Sequence, residues 1–151
     1  METIEPLLAG HPFLKGLASE HLKTIVGCAS NRVFEPGQFL FKEDEEANTF
    51  YFVRKGRVAV ETFSPEHGPI MIQTQSDGDV LGWSWLVSPY RWHFDARATE
   101  QTRVIALDGK CLREKCDRDH DLGYELMKRF TLIIAERLEA TRLQLLDVYG
   151  K

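Results

Sequence analysis

Apolar positions change their period twice along the chain. Over the first thirty residues Pro12, Phe13, Leu14, Leu17, Leu22, Ile25 and Val26 recur at roughly helical spacing, which predicts helix with one apolar face. Ser19 is placed to cap the helix that carries Ile25 and Val26. From 31 to 107 the pattern shortens into runs rich in Val, Phe, Ile and Thr, and 38–41, 50–54, 57–63 and 70–74 read as strands. Gly37, Gly56, Gly68, Gly78 and Gly82 interrupt them, and Glu35-Pro36-Gly37-Gln38 and Arg54-Lys55-Gly56-Arg57 fit tight turns. Many short strands at about 8–12-residue spacing indicate a sandwich or barrel. From Asp108 the helical period returns. A short helix is expected at 109–115, a break at 119–123, and a long helix over 124–149, which holds no Pro or Gly. Leu126, Phe130, Ile133, Ile134, Leu138, Thr141, Leu145 and Val148 form its stripe. Leu132, Leu143 and Leu146 lie off that stripe, so the helix has apolar surface to spare for a second partner.

Composition narrows the class. A chain of 151 residues with 43% hydrophobic and 28% charged side chains suits one packed domain, here 1–151. Nineteen basic against 23 acidic side chains give a net charge of −4, which argues against a nucleic-acid-binding surface. The longest apolar runs, such as Leu132-Ile133-Ile134-Ala135, are far below the ~18–20 residues of a membrane span. The start, Met1-Glu2-Thr3-Ile4-Glu5-Pro6, has acids where a secretory signal carries Lys or Arg, so a cytoplasmic location is expected. Cys28, Cys111 and Cys116 are odd in number and lack a CxxC pair, so free thiols are expected. His11, His21, His67, His93 and His120 show no HxH or HxxxH spacing, and no metal centre is expected. No phosphate-binding Gly loop, nucleophile elbow or Cys–His signature is present, so no catalytic residue is assigned and the expectation is a non-enzyme.

Phe34-Glu35-Pro36-Gly37 leads, after Phe39-Leu40-Phe41, to a turn at Glu43-Asp44-Glu45 and then to Phe50-Tyr51-Phe52-Val53 and Gly56-Arg57-Val58. This resembles the first half of a cyclic-nucleotide-binding domain. Gly78-Asp79-Val80-Leu81-Gly82 and Arg97-Ala98-Thr99 are similar to that family too. Asp44 stands where the family usually has Gly, and Asp tolerates the left-handed conformation better than most residues. The resemblance runs from about His11 to Tyr149 and is to the regulatory half of the cyclic-AMP receptor protein family. It implies an α+β fold: N-terminal helices over 1–30, an antiparallel β-roll of jelly-roll or double-stranded β-helix type over 31–107, and C-terminal helices over 108–149. Those transcription factors carry a helix-turn-helix domain after the long helix. This chain ends at Lys151, where such a domain would begin, so DNA is not an expected partner, and the short apolar runs leave no membrane partner expected either.

The resemblance also exposes an altered phosphate cassette. The family follows the Gly at position 82 with a Glu that holds the ribose hydroxyl, and about ten residues later places an Arg that pairs with the cyclic phosphate. Here Trp83 stands at the Glu position and Trp92 at the Arg position, with Arg91 before it and His93 after it. Arg91 is either a realigned anion ligand or a surface residue, and Ser84 either a donor to a ligand or a satisfied helix-start residue. His93 is either a titrating donor or a packing residue. Trp83, Trp85, Tyr90, Trp92 and Phe94 either line a pocket for an aromatic ligand or fill the nucleotide site. Thr141 falls near the helix position from which the family reaches the base. The candidate ligand residues are therefore Gly82, Trp83, Ser84, Trp85, Arg91, Trp92, His93 and Thr141. No cofactor is certain, and a cyclic nucleotide or another small anionic or aromatic ligand is possible. The implied function is a stand-alone sensor or adaptor domain, non-enzymatic, that regulates a partner protein. The alternative is a ligand-free pseudo-receptor used as a dimeric interaction module. In either case a homodimer is expected through 130–148, bounded by Phe130 and Val148.

Overall fold

The computed structural model describes residues 4–150. In chain order it contains α1 (Ile4–Ala9), α2 (Ser19–Val26), β1 (Ala29–Phe34), β2 (Phe39–Phe41), β3 (Thr49–Lys55), β4 (Arg57–Ser64), β5 (Gly68–Ser76) and β6 (Val80–Leu81). A 3₁₀ turn at Ser84–Leu86 precedes β7 (Asp95–Ala98), β8 (Thr102–Asp108), α3 (Gly109–Arg118) and α4 (His120–Tyr149). The strands pair antiparallel in two four-stranded sheets, ordered β1-β8-β3-β6 and β2-β7-β4-β5. This is the α+β roll with a long C-terminal helix that the sequence resemblance implies.

Two cores explain why the central strands are apolar on both faces. Successive side chains of a strand point to opposite faces. On β3, Phe50 and Phe52 pack into the core under the helices, with Leu8, Ile25, Leu112, Leu126 and Phe130. Tyr51 and Val53 face the roll interior, with Phe41, Val58, Val60 and Trp92. On β8, Ile105 and Leu107 join the first core, and Val104 and Ala106 the second. β1 is an edge strand paired only to β8, and its residues are mostly exposed. At the turn after β2, Asp44 adopts φ 70°.

Three local expectations change. Ser19 starts α2, but Ala18 occupies the cap position and no side chain caps the helix. The break before the long helix shrinks to Asp119, whose carboxylate accepts from the backbone N–H groups of Asp121 and Leu122 at 3.1 and 3.2 Å. Gly123 therefore lies inside α4. A Cβ there would sit 3.3 Å from the Cβ of Cys116, so the glycine permits close packing of α3 on α4. Finally, Cys28 and Cys111 are joined as a disulfide rather than held as thiols. They are 83 positions apart, which hides the pairing from any spacing rule. The Asp108 N–H donates to Cys28 O at 2.8 Å and brings the end of α2 beside the start of α3.

His11 pins the segment after α1 to the roll. Its Nδ1 accepts from the Phe13 N–H at 3.1 Å, and its Nε2 lies 2.8 Å from Gly78 O. With Nδ1 accepting, the proton sits on Nε2 and the ring is neutral. Burial lowers its pKa below the usual 6.5, against the opposing effects of the Gly78 carbonyl and the Asp79 charge. A depressed histidine supplies stability that is complete above its unfolded pKa and is lost as pH falls through the folded one. The urea midpoint is therefore expected to fall as pH drops from about 7 to about 5. The drop should be shallower in His11→Gln, and an equal drop in both proteins would remove His11 as its source.

Candidate functional site

The cassette segment leaves β6 through Gly82, at φ 100°. A Cβ on Gly82 would lie 2.8 Å from the ring of Trp92, so glycine serves here both the backbone turn and the close approach of that indole. Trp92 is 3% exposed and stacks on Phe41, with centroids 3.6 Å apart and planes 9° apart. It fills the roll interior. Trp85 is fully buried in the other core, stacked on Phe50 at 4.7 Å. Of the three tryptophans, only Trp83 lines a cavity beside α4. The aromatic cluster is thus divided. Trp85 and Trp92 pack the two cores, Trp83 and Phe94 face the cavity, and Tyr90 is exposed.

Ser84 is buried, and its Oγ lies 3.1 Å from Nδ1 of His93, whose ring stacks on Trp83 at 4.9 Å. The hydroxyl therefore already has a protein partner. Arg91 is exposed and donates to Asp44 O at 2.9 Å, beside a β-bridge between Glu46 and Arg91. Arg97, on β7, makes two 3.0 Å hydrogen bonds to the buried carboxylate of Glu61, and those bonds raise its pKa. Arg113 is held by Trp85 O, Ala47 O and Asn48, under the ring of Tyr90.

The cavity beside α4 encloses about 250 Å³. The roll supplies Val60, Ile72, Gln73, Trp83 and Phe94, and α4 supplies Ile134, Arg137, Leu138 and Thr141. Thr141 donates its hydroxyl proton to Arg137 O, four residues back. Of the candidate residues, Trp83 and Thr141 meet at this cavity, with Ser84 and His93 bonded to each other beside Trp83. Trp85, Trp92 and Arg91 are directed elsewhere. Arg137 was not singled out by the sequence reading. Its signal was its position three after Ile134 and four before Thr141, which puts a charge on the apolar stripe.

A larger cleft, of about 660 Å³, lies between His11, Lys15, Asp79 and α4. Its Arg129 is spent on Phe13 O, Lys15 O and Glu125. Among the described residues no group of His, Cys, Asp and Glu is placed to hold a metal ion, and no helix is long and apolar enough to cross a membrane.

Comparison with known proteins agrees with this fold. The human cGMP-dependent protein kinase 2 is 32% identical over 76 residues, which is 50% of this chain but 10% of the kinase. A solved structure from Geobacter metallireducens, described as a candidate cyclic nucleotide-binding protein, superposes with a TM-score of 0.81 at 29% identity, covering 91% of this chain and 99% of that one. The regulatory subunit of a cAMP-independent protein kinase A from Trypanosoma brucei, in a mutant form bound to cAMP, has a TM-score of 0.75 at 20% identity. It covers 97% of this chain and 50% of its own and shares the fold. The family model for the cyclic nucleotide-binding domain matches residues 31–119, from β1 to the start of α4. That match spans more than half of the chain, and the chain belongs to the cyclic nucleotide-binding domain family.

Proposed function

We propose that the chain is a non-enzymatic sensor or adaptor domain with an altered phosphate cassette. A small ligand in the cavity beside α4 shifts that helix, and the shifted helix regulates a partner protein. The observation that carries this reading is the shared wall: Trp83 and Phe94 come from the roll, whereas Ile134, Leu138 and Thr141 come from α4. An occupant whose affinity differs between two helix positions must bias them, and one without such a difference shifts nothing. The partner is a protein rather than a nucleic acid, in keeping with the net charge of −4.

The test is a thermal-shift and calorimetric screen with cyclic AMP, cyclic GMP and cyclic dinucleotides, on native chain and on Leu138→Trp. A ligand at a hundred times its Kd stabilises the fold by about 2.7 kcal/mol. Saturable stabilisation lost in Leu138→Trp supports the reading. Ligand binding that Leu138→Trp leaves untouched would place the site elsewhere and sink it.

The second reading is a ligand-free dimeric interaction module. It is favoured by the tryptophan filling the roll and by the outward face of α4, where Val148 is 69% exposed. A second copy along 130–148 would cover Leu143, Leu145 and Leu146, which are also exposed. Light scattering is expected to report a dimer, and Leu145→Glu with Leu146→Glu a monomer. A native monomer at tens of micromolar overturns this part of the reading.

A further inference from the structure

We propose that the cavity beside α4 takes a small planar aromatic anion, whose charged group is held by Arg137 of the helix and not by the cassette. The inference deepens the functional reading above and rests on the cavity being a ligand site.

Cations elsewhere around the cassette are already committed. Arg91 is turned to Asp44 O, and Arg97 is locked to Glu61. Ser84 is paired with His93. Arg137 is the one cationic side chain in the cavity wall. It is partly buried, and that burial lowers its pKa, while the charges of Asp79 and Glu136 act the other way. Among the described residues neither carboxylate forms an ion pair with it, and its guanidinium donates to a single protein acceptor, Val80 O. A guanidinium has five N–H donors in a fixed fork. A desolvated cation with one neutral partner beside an apolar wall is a site for an anion, because charge-assisted pairs are roughly twice as strong as neutral ones.

The rest of the wall sets the ligand's shape. The ring of Trp83 and the side chain of Phe94 offer aromatic contact, and Val60, Ile72, Ile134 and Leu138 offer aliphatic surface. A volume near 250 Å³ falls below the about 300–1,000 Å³ typical of drug-sized ligands. A one- or two-ring acid fits these terms. Its charge would pull directly on α4, so ligand recognition and helix position become one interaction.

The probes are 1-naphthoate, its neutral isostere 1-naphthamide, and phenyl phosphate, read by quenching of Trp fluorescence and by calorimetry. The naphthoate is expected to bind about ten- to hundredfold more tightly than the amide. That preference should disappear in Arg137→Gln and persist in Arg137→Lys, a pair that separates charge from any loss of the Val80 contact. The phosphate arm distinguishes the anionic group: equal or stronger binding assigns phosphate esters, weaker binding assigns carboxylates. Equal binding of acid and amide, or an acid preference that survives Arg137→Gln, overturns the assignment to Arg137 while leaving the cavity as a ligand site. No binding of any probe also overturns it, and the cyclic-nucleotide screen with Leu138→Trp then judges the cavity independently.

Discussion

Reduction with dithiothreitol is expected to lower the stability of the native chain by about 4 kcal/mol. The bond between Cys28 and Cys111 closes a loop of 83 positions, and in the chain-entropy account a loop of that order restricts the unfolded state by about 4–5 kcal/mol. For a chain of this length the unfolding midpoint should drop by roughly 10 °C. The bond also fastens the end of α2 to the first turn of α3, which packs on α4. Cys116 stands apart: burial, reinforced by the Asp117 and Asp119 charges, pushes its thiol up to about 11. The thiolate is the attacking form, so Cys116 is a poor agent for reshuffling the bond at neutral pH. Denatured, unreduced protein should titrate as one thiol and reduced protein as three. Cys28→Ser with Cys111→Ser should melt like the reduced native chain and ignore dithiothreitol. Three thiols in unreduced protein, or a midpoint indifferent to the reductant, would sink the prediction.

Legibility in the sequence tracks how local each cause is. β4 and β5 were readable because glycines bound their runs and cross-strand pairing preserves them. β1 was not, since Ala29-Ser30-Asn31-Arg32 carries no strand pattern and is extended only because β8 supplies its register. The long helix was readable from its stripe, but its start was misplaced. Glycine reads as a helix breaker until α3 is seen to press its Cys116 against Gly123. The cassette shows the same limit in its chemistry. Trp83 and Trp85 are two residues apart, yet one lines the cavity and the other sits in the core, because a 3₁₀ turn rather than a strand separates them. The sequence resemblance points to positions 83 and 92, whereas the commitment of Arg91 to Asp44 and the burial of Arg137 against Val80 O arise only from tertiary contacts.

Cyclic AMP is expected to bind far more weakly here than to a relative with Glu and Arg in the cassette. On the family resemblance, an indole at position 83 stands where the ribose acceptor is expected, and another at 92 where the phosphate partner is expected. The second change removes space as well as charge, since the Trp92 ring lies over Gly82 and against Phe41 in the roll interior. Arg91 does not compensate, because its guanidinium is on the carbonyl of Asp44. Removing one partner of a buried ion pair costs about 3–5 kcal/mol, on the order of a hundred- to several-thousandfold in affinity. Trp83 is the cavity's fluorescent reporter, with Trp85 and Trp92 packed in the cores. Calorimetry should find no saturable cyclic AMP binding at micromolar concentration, and titration should leave Trp83 unquenched. Micromolar or tighter binding would contradict this. If such binding vanished in Arg91→Ala and survived in His93→Ala, Arg91 must leave Asp44 and enter the pocket. If it vanished in Arg137→Gln instead, the phosphate is carried by the helix, and the loss of the cassette arginine has been met by a cation from the element that the ligand is there to move.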